Sequence, residues 1–144
     1  MTKPPIDSFR GEYEFLSNLH PCTVVLDGLE YPSVEHAYQA AKSTDPEFRR
    51  KVRKAPVKMA MRWGKKTKCR SDWDRIKRGV MERLLRQKFN DPELWVLLQS
   101  TGERALVEGN TWGDTYWGVC KGVGRNHLGR LLMKIRSEPV ALGD

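Results

Sequence analysis

Between Asp72 and Phe89 the apolar residues recur at helical spacing and along one side only. Trp73, Ile76, Val80 and Leu84 make the stripe, Met81 and Leu85 widen it, and Arg75, Arg78, Glu82 and Arg86 occupy the opposite side. A helix with an apolar face that broad must lay it on other elements, so this segment demands a packed core around it. The chain's 144 residues are enough to build one, since a domain of that size buries roughly two-thirds of its unfolded surface.

The elements that supply the core are announced by local signals. Thr23–Leu26 is apolar and β-branched, Asp27-Gly28 follows, and Leu29–Tyr31 resumes the run. An Asp-Gly pair between two such runs predicts a hairpin, because the tight turn needs positive φ. Phe15-Leu16 reads as a further short strand or the loop beside one. After Pro32 the pattern turns helical. Ser33 caps a helix to about Ser43, and Pro46 and Pro56 each suit the first turn of another. Asp91-Pro92 opens one more, through Leu98, that Gly102 ends. Ala105–Val107 reads as a strand. Asn126–Ile135 reads as a last helix with Leu128, Leu131, Leu132 and Ile135 inside. No repeat, low-complexity segment or linker interrupts the chain. The expected fold is α+β, a mainly helical single domain over residues 1–144 with a few short antiparallel strands.

Composition narrows the class. With 39% hydrophobic and 31% charged residues the chain is globular rather than disordered. No stretch nears the roughly 20 apolar residues of a membrane helix, and MTKPPIDSF lacks the apolar core of a signal peptide, so the expectation is cytoplasmic with no membrane partner. Cys22, Cys69 and Cys120 are odd in number and widely spaced, which predicts free, buried or half-buried thiols and neither a disulfide frame nor a metal site. The net charge of +8 favours polyanions or phosphate-bearing ligands. Its basic residues, concentrated between Arg49 and Lys88, form either solvated helix faces or a phosphate-binding surface able to contact DNA or RNA.

Two stretches carry chemistry. In the helix after Ser33, Glu35, Gln39 and Lys42 fall in one narrow stripe, and Ala37, Ala40 and Ala41 keep the neighbouring surface small. A carboxylate, an amide and an amine in line form a workable acid/base set; the alternative is a surface helix with an incidental Glu-to-Lys spacing. His36 points off this stripe and reads as a packing or hydrogen-bonding histidine. The second stretch, Gly109–Gly118, sets Trp112, Tyr116 and Trp117 among glycines, with Asn110 and Asp114 as polar handles. Such a loop offers flat faces for a base, or is simply pinned by its tryptophans. Gly122-Val-Gly before the last helix suggests free backbone N–H groups for a phosphate. Near the N-terminus, Arg10 suits a phosphate clamp, and Ser17 and Asn18 either bind substrate or satisfy a turn.

These segments together resemble the NADAR family, which includes the YbiA-like N-glycosidases. The resemblance runs from about Phe9 to Arg136. It rests on Glu14-Phe-Leu-Ser-Asn18, Leu26-Asp-Gly28, Tyr31-Pro-Ser-Val-Glu-His36, Gln39-Ala-Ala-Lys42, Trp73-Asp74 with Lys77 and Met81, Lys88-Phe89, Leu106-Val-Glu108, Asp114 with Trp117-Gly118, and Asn126-His-Leu-Gly129 with Leu132-Met133. The chain departs from the pattern at Val119-Cys120, which concerns the outer rim of the site and with it substrate choice.

The resemblance implies a hydrolase that splits an N-glycosidic bond between a phosphorylated ribose and a base. The substrate would be ADP-ribose on guanine or a phosphoribosylamino-pyrimidine intermediate of riboflavin synthesis. No ligand cluster in the sequence suggests a metal, and no cofactor is expected. The resemblance makes Glu35 and Lys42 catalytic, lines the sugar or base site with Trp112, Asp114 and Trp117, and leaves two mechanisms open. Lys42 attacks C1′ and forms a Schiff base while Glu35 moves protons. Otherwise Glu35 activates water, Asp114 stabilises an oxocarbenium-like sugar and Lys42 only binds phosphate. Arg10, Ser17, Asn18, Gln39, Asn110, Trp112, Tyr116 and Trp117 are the expected substrate contacts. A non-catalytic ADP-ribose or nucleic-acid binding module is the rival reading.

Overall fold

The computed structural model describes residues 3–138, in two compact units. One is the continuous stretch Asn18–Asp91. The other joins the chain up to Ser17 with the chain from Pro92 onward.

The continuous unit opens with β1 (Pro21–Leu26) and β2 (Leu29–Ser33), an antiparallel pair in which Val24 faces Tyr31 and Leu26 faces Leu29. Asp27 and Gly28 between them have φ of 48° and 84°. This is the turn geometry that matches the twist of the strands, and it needs a residue pair tolerant of positive φ. Ser33 then stops the strand and starts α1 (Val34–Ala41): its Oγ accepts the His36 N–H at 3.0 Å. Asp45 does the same for α2 (Pro46–Lys54), accepting the Glu47 N–H at 3.0 Å, with Pro46 in the first turn. After α3 (Val57–Lys66) comes α4 (Trp73–Lys88), the long amphipathic helix.

α1 is the hub of this unit, in contact with β1, β2, α2, α3 and α4. Its alanines are the reason: Ala37, Ala40 and Ala41 are wholly buried and let the neighbouring helices come close. Seven of its eight residues are buried, and Glu35 alone is half-buried. A surface helix with an incidental charge spacing is therefore not what the chain builds. From α4, Trp73, Val80, Met81, Leu84 and Leu85 are buried as the stripe predicts, while Ile76 is half-buried. Buried Lys88 extends that inner face by one turn.

The second unit begins with Ile6, which forms a parallel bridge to Leu106 through Ile6 N–H to Ala105 O and Val107 N–H to Ile6 O, each 2.8 Å. The expected strand at Ala105–Val107 is thus a single bridge. Phe15 and Leu16 end a 3-10 helix, Gly11–Leu16, and not a strand. Both side chains are buried, and adjacent residues of a strand point to opposite faces, whereas a tight helical turn can direct both inward. α5 (Pro92–Ser100) is followed by Gly102 at φ 63°, as the stop signal requires. β3 (Gly109–Asn110) and β4 (Val119–Cys120) pair in parallel. This corrects the expectation of antiparallel strands only: the glycine-rich loop between them runs fully around, so that β4 leaves in the direction of β3. α6 (His127–Ser137) closes the unit, with Leu128, Leu132 and Ile135 buried and Leu131 half-buried. Among the described residues no helix is long and apolar enough to cross a membrane.

Candidate active site

Gln39 and Glu35 lie one turn apart on α1, and the Gln39 Nε2 donates to Glu35 Oε1 at 2.9 Å. One turn further on stands Lys42, whose Nζ donates to the Gly64 carbonyl at 3.5 Å and sits 5.6 Å from the centre of the Tyr38 ring. The predicted stripe is real, and it emerges from a helix otherwise sealed in the unit's interior. Burial lowers the basicity of the Lys42 amine from its ordinary value. The Glu35 carboxylate and the nearby Cys69 partly oppose that effect, and Lys77 adds to it. A half-buried amine that gives up its proton more readily is the form a nucleophilic lysine needs.

Two neighbours shape the stripe. The Asn18 carbonyl accepts the Glu35 N–H at 3.0 Å and so fixes the start of α1. Asn18 is 9% exposed. Its Nδ2 rests 3.5 Å from Met81 Sδ, and its Oδ1 has no hydrogen-bond partner among the described residues. A buried amide oxygen left unpaired costs about 1–3 kcal/mol, which a bound hydroxyl or amino group would offset. Gly64, on α3, lies directly behind Gln39: a Cβ there would run into the Gln39 amide. A glycine inside a helical run marks a position with a special reason, but not the residue it meets. Gly64→Ala is expected to push the Gln39 amide off Glu35 and lower kcat/KM about 10- to 100-fold, since misplacing catalytic groups by about 1 Å can cost that much. Steady-state kinetics alongside thermal unfolding test this, and an unchanged kcat/KM would show that the Gln39–Glu35 bond is dispensable.

His36 belongs to the scaffold. Its Nδ1 meets Ser33 Oγ at 2.7 Å and its Nε2 donates to the Ala55 carbonyl at 2.8 Å, tying α1 to the segment before α3. The three cysteines are free, but Cys69 is exposed, not buried, because it lies in the polar Thr67–Arg70 link before α4.

In the other unit the loop between β3 and β4 is organised by its own polar side chains. Asn110 Nδ2 donates to the Asp114 carbonyl at 2.9 Å and to Glu108 Oε2 at 3.1 Å, and Asn110 Oδ1 accepts the Asp114 N–H at 3.0 Å. Asp114 Oδ1 accepts the N–H groups of Tyr116 and Trp117 at 3.1 and 2.9 Å. Tyr116 stands edge-on to Trp117 at 4.9 Å and tilted against His127 at 4.6 Å. Trp112, 64% exposed, offers its ring to solvent. At the start of the last helix the backbone N–H groups are not free to hold a phosphate. The N–H groups of Arg125, Asn126, His127 and Leu128 are taken by the carbonyls of Thr115, Gly118, Tyr116 and Trp117, because the loop folds back onto them. Val119 and Cys120 form β4. Arg10 is exposed just before the 3-10 helix, and Ser17 is half-buried just after it.

The sequence from residue 7 to residue 138 matches the NADAR domain. Escherichia coli N-glycosidase YbiA is 37% identical over 136 residues, which cover 91% of this chain and 84% of that protein. A riboflavin biosynthesis protein of Vibrio vulnificus is 39% identical over 130 residues, 86% of this chain but 35% of its own length. The solution structure of E. coli YbiA superimposes with a TM-score of 0.80 at 34% identity, covering 94% of this chain and 85% of that one. The α+β fold and these relatives define a hydrolase acting on N-glycosyl bonds. The chain belongs to the NADAR family.

Proposed function

We propose that this enzyme cleaves the bond between C1′ of a phosphorylated ribose and a base through a Schiff base on Lys42, with residues 1–144 acting as one catalytic domain. The observation that carries this reading is the state of Lys42: an amine whose basicity is lowered by burial, in line with a Glu35–Gln39 pair on a buried helix. A ribose joined to a base through an amino group ring-opens to an imine. Lys42 Nζ adds to C1′, the C1′–N bond to the base breaks, and the base leaves with a proton supplied through Glu35. Water then hydrolyses the lysine imine, returning the amine and releasing the sugar phosphate.

Asn18, with its unpaired buried oxygen, and Gln39 are assigned to substrate hydroxyl or amino groups. Arg10 and Ser17 are assigned to phosphate, and Trp112, Tyr116 and Trp117 to the sugar or base. Asn110 and Asp114 hold the loop that carries those aromatics. The direct-water route, with Asp114 as the oxocarbenium stabiliser, is less well supported, because Asp114 Oδ1 already receives two backbone N–H groups.

Two substrates fit. The riboflavin biosynthesis names of the V. vulnificus relative and of a Zea mays relative, 36% identical over 142 residues, favour a phosphoribosylamino-pyrimidine. The net charge of +8 favours ADP-ribosylated guanine carried on a nucleic acid. Base release from both, measured side by side with wild type and Glu35→Gln, tests the reading. The expected result is release that falls about 10²- to 10⁴-fold in the variant, the usual size of a lost proton-transfer group, and the faster substrate names the branch. Tight, salt-sensitive binding of both without any release would instead identify an ADP-ribose or nucleic-acid binding module.

A further inference from the structure

A pocket of about 420 Å³ opens beside α1 within the Asn18–Asp91 unit, and none of Glu35, Gln39 or Lys42 lines it. Its α1 contact is Ala41, about 100° around the helix from Lys42. Four guanidinium groups surround it, those of Arg49, Arg70, Arg75 and Arg83, against the carboxylates of Asp27 and Asp72. The volume lies within the range of small-molecule sites.

The charges are arranged in two tiers. Arg49, itself buried, is fixed by Asp27 Oδ2 at 2.6 Å and by the Ser43 carbonyl at 2.8 Å. Arg70 is held by both oxygens of Asp72, at 2.6 and 3.1 Å. These pairs consume both carboxylates. Arg75 and Arg83, two turns apart on α4, form no ion pair among the described residues, so the pocket retains two positive charges. Between them lies Gly79. A glycine inside a long helix weakens it, and this one has a helical backbone with nothing within 4 Å of where a Cβ would stand. Neither close packing nor unusual geometry explains it. What its missing side chain leaves is open space on the floor of the pocket, flanked by Ile76 and Val80.

We propose that this pocket is a second anion site, which takes the dianionic phosphate of a small phosphomonoester independently of the Glu35–Lys42 site. A phosphomonoester carries close to two negative charges near pH 7 and presents three acceptor oxygens, matching two unpaired guanidiniums beside two prepositioned ones. The apolar stretch formed by Leu26, Ile76 and Val80 accommodates the carbon attached to the phosphate.

The test is an amide-resolved NMR titration of the full chain with methyl phosphate, a monoester dianion, and with dimethyl phosphate, a diester monoanion. Saturable shifts are expected at Arg75, Gly79 and Arg83 with methyl phosphate, and binding about 10-fold weaker or worse with the diester. Arg83→Gln and Arg75→Gln are each expected to weaken methyl phosphate about 10-fold, in line with loss of one charged hydrogen bond. Gly79→Glu should abolish binding by filling and neutralising the site. Gly79→Ala, which sets a methyl group on the floor of the pocket, should weaken binding, whereas Glu35→Gln should leave it intact, and their spectra also verify that the fold survives. The proposal is overturned if no saturable shift occurs at these positions up to about 10 mM, a weak-binding limit, or if the Arg83 and Arg75 variants bind unchanged. Equal affinity for the diester would overturn it in favour of a nucleic-acid backbone site.

Discussion

Lys42→Ala is expected to lower kcat for base release by about 10⁴-fold or more, the scale on which a covalent nucleophile's loss is felt, and Lys42→Arg is expected to be equally inactive. Arginine keeps the charge and nearly the reach of lysine but cannot shed its proton, so it could still bind a phosphate yet not form an imine. If the residue served only to bind phosphate, Lys42→Arg would retain kcat and raise KM. The pH profile supplies a second arm. A lysine of ordinary basicity is only about 0.04% neutral at pH 7, and burial lowers that basicity here. Wild-type kcat/KM should therefore rise with pH on a limb whose midpoint lies below the ordinary lysine range, and Lys42→Ala should lack that limb.

The effect of Lys42 on stability is separable from its effect on activity. For an amine whose folded-state pKa lies below its unfolded one, the penalty is fully present below the folded value and vanishes above the unfolded value. Stability thus rises with pH across that window. Lys42→Ala removes the penalty, so an inactive Lys42→Ala enzyme with an unchanged or higher Tm near neutral pH separates chemistry from folding.

Leu84→Ala is expected to destabilise the protein by about 2–5 kcal/mol, the cost of truncating a buried leucine plus the cavity that remains. Leu84 is 1% exposed in the middle of α4, whose inner face packs on α1 and β1. By contrast, Asp74→Ala breaks an ion pair to Lys77 at 3.1 Å in which the aspartate side chain is 94% exposed. That change should cost less than about 1 kcal/mol, because water and side-chain entropy cancel most of such a pair. Equal losses on denaturant unfolding would mean that the stripe on α4 is not what holds this unit. Because α1 carries Glu35 and Lys42, the Leu84 variant should also lose activity at lower temperature, in step with its unfolding.

The legible parts of the fold were those written in neighbouring residues. Asp27-Gly28 specified its turn by tolerance of positive φ, Ser33 its helix by a side-chain oxygen, and Pro46 and Pro92 theirs by a fixed φ. The Glu35–Gln39–Lys42 stripe followed from helical periodicity alone, and the buried alanines beside it hinted that the helix was a hub. What could not be read locally depends on residues far apart in sequence. Gly64 matters because it meets Gln39, twenty-five positions away. The parallel pairing of β3 with β4 depends on how the intervening loop closes. The amides before α6 looked free until the carbonyls of residues 115–118 came round to meet them. The Arg75–Arg83 pocket was equally hidden, since charge on a helix face says nothing about which carboxylates stand nearby.

The most direct measurement of the central claim is borohydride trapping during turnover, followed by peptide mapping. Wild type mixed with its substrate and borohydride should lose activity and carry one reduced sugar phosphate on Lys42, with none in Lys42→Arg. Full turnover in borohydride with no adduct on Lys42 would contradict the Schiff base and return the lysine to a binding role.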